Sequence, residues 1–199
     1  MAVEPGRPLS QAMSGLGLIP NLISLARMLA VPVMVWLVLD GHYETAFWLF
    51  AIAGLSDALD GFLARLLQAQ TEIGIYLDPL ADKALLVGLY VTLGIQGGLP
   101  LWLVILVVFR DLLIIAGALL AAFMEFRLAM HPLLVSKANT LLQILLGGVV
   151  LWFADDGAEA FAQGLIQGLT ILVALFTLLS GGAYVIRWVK RATAWEGEE

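Results

Sequence analysis

Residues 56–83 read SDALDGFLARLLQAQTEIGIYLDPLADK, placing four aspartates (Asp57, Asp60, Asp78, Asp82) and one arginine (Arg65) between strongly apolar flanks. The composition around them decides how they are read. Of 199 residues, 61% are hydrophobic and 13% are charged, and the mean hydropathy is +0.97. A soluble domain is about 45–50% apolar and about 25% charged. The chain is therefore expected to be an all-α integral membrane protein. Cysteine is absent, which excludes disulfides and thiolate metal sites. A net charge of −6 argues against a nucleic-acid surface.

Six stretches approach the length of about 20 mostly apolar residues that a bilayer span requires. They are 21–39, 45–66, 80–95, 101–123, 134–153 and 165–189, the third being short. Turn chemistry separates them, at Asp40-Gly41, the polar run QAQTEIG, Gly97-Gly98-Leu99-Pro100, the 127–132 stretch and Asp155-Asp156-Gly157. Arg7, Arg127, Lys137, Arg187, Lys190 and Arg191 fall on one set of connections, whereas 40–44, 97–100 and 155–159 carry no Lys or Arg. By the positive-inside rule both termini are expected in the cytoplasm, with the quoted stretch joining spans two and three on that side. Residues 1–20 lack an apolar signal-peptide region and the first span contains Arg27, so no cleaved signal peptide is expected.

Asp57, Asp60, Gly61 and Ala64 recur at i, i+3, i+4 and i+7, so on a helix they share one face. Asp78 and Asp82 form an i, i+4 pair at the expected start of the next helix, with Pro79 at its first position. Two antiparallel helices would gather all four carboxylates, which stay ionised together only if something positive neutralises them. An oxygen-only donor set points to Mg²⁺, Mn²⁺ or Ca²⁺ rather than zinc. The small Gly61 and Ala64 leave room for a flat ligand, and Arg65 suits phosphate oxygens. Plainer roles exist for each residue alone. Asp78 could be an N-cap, Asp57 a helix-end polar group, Asp82 an interface partner of Lys83, and Gly61 with Ala64 a packing contact. No one of these accounts for four aspartates on two adjoining segments.

This stretch resembles the CDP-alcohol phosphotransferases, whose signature is D-x2-D-G-x2-A-R-x8-G-x3-D-x3-D. Asp57, Asp60, Gly61, Ala64, Arg65, Gly74, Asp78 and Asp82 meet every fixed position. The resemblance covers 20–191, leaving 1–19 as a cytoplasmic N-terminal segment and 192–199 as a cytoplasmic tail. It implies six transmembrane helices, a homodimer, a cavity open to the cytoplasm and a divalent cofactor, Mg²⁺ or Mn²⁺, as two ions. Asp57, Asp60, Asp78 and Asp82 would be the metal ligands, with Asp82 the general base. Gly61, Ala64, Arg65 and Gly74 would receive the CDP part of the donor. Asn21 and Ser24 resemble the family's Asn-x-x-Thr segment that helps bind the nucleotide, with Ser in place of Thr; Asn21 could equally cap the first helix.

The expected reaction moves a phosphatidyl group from CDP-diacylglycerol to an acceptor hydroxyl and releases CMP. Arg110 in span four and Lys137 at the start of span five are candidates for an acceptor phosphate, against a structural ion pair of Arg110 with Asp111 and an orienting or snorkelling Lys137. The runs RDLLIIAGALL and SKANTLLQILL resemble the glycerolipid branch, which includes phosphatidylglycerophosphate and cardiolipin synthases. The residues after Arg110-Asp111 are apolar as far as Phe123, so positive charge for a dianionic acceptor is scarce. That favours phosphatidylglycerol over glycerol 3-phosphate. An ion or proton pathway is the alternative from another class. It accounts for buried acids but not for the Gly/Ala/Arg spacing.

Overall fold

The computed structural model describes the backbone of residues 18–67, 72–123, 134–154 and 160–195. Within those ranges it describes side chains except at 18–21, 57–67, 72–80, 82, 118–123 and 188–195. The described residues form six α-helices: α1 Leu18–Leu39, α2 Tyr43–Leu67, α3 Glu72–Ile95, α4 Leu101–Phe123, α5 Leu134–Trp152 and α6 Ala160–Trp195. They fall into two compact units, Met1–Leu89 and Tyr90–Glu199, with the boundary inside α3.

The expected segments are all helical, but several begin elsewhere. α3 starts at Glu72, so it is 24 residues long rather than short. Asp78 and Pro79 consequently lie inside the helix, and Asp78 is not its N-cap. Glu72, Ile73 and Gly74, the end of the polar run QAQTEIG, are already helical. Pro79 has no N–H for the carbonyl four residues earlier, a local cost the helix absorbs. Likewise α1 starts at Leu18, which places Asn21 within the first turn rather than at the cap. α1 also continues through Pro32, and α6 runs beyond Arg191 to Trp195. The connections at 127–132 and 155–157, the segment 1–17 and the final residues 196–199 lie outside the described residues.

Both glycine turns end their helices in the same way. After α1, the N–H of His42 donates to the Leu37 carbonyl at 2.8 Å and that of Gly41 to Val38 at 3.2 Å. After α3, Gly98 donates to Leu93 at 2.9 Å and Gly97 to Gly94 at 3.3 Å. These are Schellman closures, which need a left-handed residue at the penultimate position. Gly41 and Gly97 supply it, each at φ +80°. A Cβ on Gly97 would meet nothing within 4 Å, whereas one on Gly94 would lie 2.9 Å from Val104 Cγ2. Gly97→Ala is therefore expected to cost about 1–2 kcal/mol through the backbone alone. Gly94→Ala is expected to cost about 1–3 kcal/mol through overpacking against a stiff β-branched neighbour. Thermal unfolding in detergent reads both.

In the first unit α1 packs along α2. Met34, Val38 and Ala46 are fully buried there, and α3 approaches α1 where Gly88 faces Val31 and Val35. In the second unit α4 and α5 both pack on α6. Leu103, Val107, Leu146 and Val173 form its core, and Tyr90 donates to the Gln143 carbonyl at 3.0 Å.

The distribution of polarity is inverted relative to a soluble bundle. On α1 Leu22, Leu25, Leu29, Val33 and Trp36 face outward, while Ser24 and Arg27 are buried. On α4 Leu101, Ile105, Phe109 and Leu112 face outward, while Arg110 and Asp111 are buried. Such apolar exteriors match lipid rather than water as the surrounding solvent. Three helices among the described residues are long and apolar enough to cross a membrane, at Leu22–Leu39, Leu134–Trp152 and Ala160–Arg187, and Lys83–Ile95 is a shorter apolar helix.

Candidate active site

The signature residues sit on two helices. Asp57, Asp60, Gly61, Ala64 and Arg65 lie in the second half of α2, and Gly74, Asp78 and Asp82 lie in α3. Helix continues through both segments, so the i, i+3, i+4, i+7 register on α2 and the i, i+4 register on α3 hold as expected. The side chains of these eight residues lie outside the described ones, as does that of Asn21. Among the described residues there is no cluster of three or more metal-ligating side chains. The donor set itself, four carboxylates and no sulfur or imidazole, suits a hard divalent cation.

Around the signature, the described neighbours are closely packed. Ala81 is fully buried beside Asp82, and Leu85, Leu86 and Leu89 continue the buried face of α3. Ser24 on α1 is fully buried, and Arg27, one turn on, is 3% exposed. In the sequence Arg27 argues only against a signal peptide. Its burial one turn from Ser24 places a second polar group on the same helix face, for which the i, i+3 spacing is the signal.

The second unit carries a buried polar seam. Arg110 is 3% exposed and makes four hydrogen bonds. Its Nη1 donates to Asp111 Oδ1 at 2.6 Å and its Nη2 to Ser136 Oγ and Ser180 Oγ, both at 2.6 Å. Its Nε donates to Ser180 Oγ at 3.2 Å. A guanidinium has five N–H donors, so four are in use. Further along α5, Asn139 Oδ1 accepts from Thr177 Oγ1 at 3.0 Å, and Thr140 Oγ1 donates to the Ser136 carbonyl at 3.3 Å. Asn139 Nδ2 and both polar side-chain atoms of Gln143 are buried without a hydrogen-bond partner among the described residues. Burying such groups costs stability, so this seam is not explained by packing alone. Lys137, next to Ser136, is exposed.

Of the two residues considered for the acceptor, Arg110 is thus held in an ion pair with Asp111 and Lys137 is accessible. Ser136, Asn139 and Thr140 belong to the polar SKANT run, whereas Ser180 is hidden in the apolar run LLSGG. Its signal is periodic: Thr170, Thr177 and Ser180 are buried on one face of α6 while Ile171, Leu172, Leu175, Leu178 and Leu179 between them are exposed.

Residues 17–181 match the family model described as CDP-alcohol phosphatidyltransferase. The chain is 36% identical over 187 residues to the chloroplastic CDP-diacylglycerol–glycerol-3-phosphate 3-phosphatidyltransferase 1 of Oryza sativa subsp. japonica, covering 85% of this chain and 56% of the relative. It is 34% identical over 144 residues to the cardiolipin synthase (CMP-forming) of Rattus norvegicus, covering 64% of this chain and 48% of the relative. It is also 30% identical over 184 residues to the cardiolipin synthase (CMP-forming)/mitochondrial hydrolase fusion protein of Schizosaccharomyces pombe, covering 84% of this chain and 30% of the relative. The chain spans about half the length of the rice and rat relatives. With the family model matching most of its length and the signature complete on α2 and α3, the chain belongs to the CDP-alcohol phosphatidyltransferase family.

Proposed function

We propose that the protein is a six-span membrane enzyme, with both termini and the active site facing the cytoplasm. It transfers a phosphatidyl group from CDP-diacylglycerol to a hydroxyl of phosphatidylglycerol, giving cardiolipin and CMP. The observation that carries the reading is the complete eight-residue signature in a chain of this family. Asp57, Asp60, Asp78 and Asp82 hold divalent cations, Mg²⁺ or Mn²⁺ as two ions, whose charge offsets that of the pyrophosphate when bound. Gly61, Ala64 and Gly74, with Asn21 and Ser24, receive the CDP portion against bare helix backbone. The Asp82 carboxylate takes the proton of the acceptor hydroxyl as its oxygen bonds to the lipid-linked phosphorus. The phosphorus–oxygen bond to CMP breaks in line, and Arg65 stabilises the negative charge that develops on the departing phosphate. The working unit is a homodimer.

Arg110 and Lys137 serve the acceptor. Because Asp111 sits 2.6 Å from Arg110, the guanidinium charge is already compensated, and Lys137 is left to face the acceptor phosphate. One cation suits the monoanionic phosphodiester of phosphatidylglycerol better than a dianion. The rice relative supports a second reading, glycerol 3-phosphate as acceptor and phosphatidylglycerophosphate as product.

Purified protein in nanodiscs with CDP-diacylglycerol and Mg²⁺ or Mn²⁺ separates these. CMP release with phosphatidylglycerol, and none with glycerol 3-phosphate, is the expected result. Release with glycerol 3-phosphate alone makes the second reading correct, and release with neither removes both. Chelation of the cation is expected to abolish release, and added Mg²⁺ or Mn²⁺ to restore it.

A further inference from the structure

Arg110 stands on α4, Ser136 in the first turn of α5 and Ser180 on α6. The three side chains meet at one guanidinium, which therefore ties three helices together. How it is used bears on what it can still bind. Recognition of a phosphate by arginine normally uses two parallel N–H groups along one edge of the fork. Along one edge, Nε and Nη2 both donate to Ser180 Oγ, at 3.2 and 2.6 Å. At the end of the fork, Nη2 donates to Ser136 Oγ and Nη1 to Asp111 Oδ1. Neither edge retains a parallel pair of free donors, and the charge is met by a buried carboxylate. Arg110 is thus equipped to hold geometry rather than to grip an anion.

What it holds is the start of α5. Ser136 receives the Arg110 Nη2 proton on its hydroxyl, and its carbonyl receives the Thr140 hydroxyl. The next residue is Lys137, which is exposed where Ser136 is partly buried. A Cβ on Gly181, the neighbour of Ser180, would stand 3.7 Å from Arg110 Cγ, an ordinary contact, so the Arg110 stem lies against α6 there. From this we infer that Ser180 and Arg110 are positioning residues for the acceptor: their hydrogen bonds fix the first turn of α5, and with it Lys137, against α4 and α6. The inference rests on the proposed role of Lys137 as the acceptor's cation.

Ser180→Ala removes the hydroxyl that accepts from both Nε and Nη2 while leaving the Arg110–Asp111 pair in place. Arg110→Lys keeps the charge but replaces the planar fork, which reaches both serines and Asp111, with donors on a single nitrogen. Both variants are expected to raise the acceptor KM about tenfold, the scale of one lost hydrogen bond to a charged group. In Ser180→Ala, kcat at saturating acceptor and the KM for CDP-diacylglycerol stay as in the wild type. Combined with Lys137→Gln, Ser180→Ala adds nothing further to the acceptor KM, because the side chain it positions is gone. Hydrogen exchange at amides 138–142 is expected to quicken in Ser180→Ala, and this is read without turnover. Unchanged exchange overturns the clamp. A KM raised by Arg110→Lys but not by Ser180→Ala assigns Arg110 to the acceptor itself, and effects that multiply with Lys137→Gln overturn the positioning of Lys137. Wild-type protein that releases no CMP with any acceptor refutes the proposed function instead, and the exchange measurement still decides whether the clamp exists.

Discussion

Asp82→Asn is expected to reduce CMP release by about 10²–10⁴-fold, the usual contribution of a positioned general base. Asparagine has nearly the same shape as aspartate and the same helix preference, so α3 is expected to stay intact. The fully buried neighbour Ala81 and the buried leucines that follow it keep their packing. What is lost is a basic carboxylate, and an alcohol does not give up its proton near neutral pH without one. In the proposed site three carboxylates, Asp57, Asp60 and Asp78, would remain to hold the cation, so binding of CDP-diacylglycerol is expected to persist. Titration of the variant with donor, followed by CMP release at saturation, separates the two effects. A variant that turns over at the wild-type rate removes Asp82 as the base. One that no longer binds the donor makes Asp82 chiefly a ligand for the cation.

The second large effect is on stability. Arg110→Ala deletes four hydrogen bonds and leaves the Asp111 carboxylate, 2% exposed, without the guanidinium at 2.6 Å. Breaking a buried pair from one side costs about 3–5 kcal/mol, because the surviving charge stays out of water. For a chain of this size that corresponds to a fall in the unfolding midpoint on the order of 10 °C. Arg110→Met with Asp111→Leu is expected to recover most of the loss, since the desolvation cost of both charges disappears together. Thermal unfolding of the two variants in the same detergent checks the sign. If the double variant is no more stable than Arg110→Ala, the other interactions of Asp111 hold its charge without the guanidinium. The double variant is also expected to keep a raised acceptor KM, because no hydrogen bond from α4 then reaches the Ser136 hydroxyl.

The residues themselves determined a good deal. A chain that is 61% hydrophobic with four aspartates at fixed spacing has few places to put them. Periodicity and turn residues were enough to locate six helical segments, because Gly41 and Gly97 are required for backbone closures that are local in sequence. The Asp57, Asp60, Gly61, Ala64 face on α2 and the Asp78, Asp82 pair on α3 were legible because their spacing is a helical repeat, whereas the full signature was read through its resemblance to a known family. Helix starts were less legible. α3 includes Glu72, Ile73 and Gly74, because a polar stretch can be helix or loop and only its surroundings choose.

Tertiary structure alone decided the partners of the second unit's polar groups. Arg110 and Ser180 are 70 residues apart in the chain, and no local pattern links a serine in LLSGG to an arginine on α4. Their meeting depends on how α4 and α5 pack on α6, a matter of side-chain shape and of where buried donors can find acceptors. Composition could say that an arginine in a membrane span needs partners. Which partners it finds follows only from that packing.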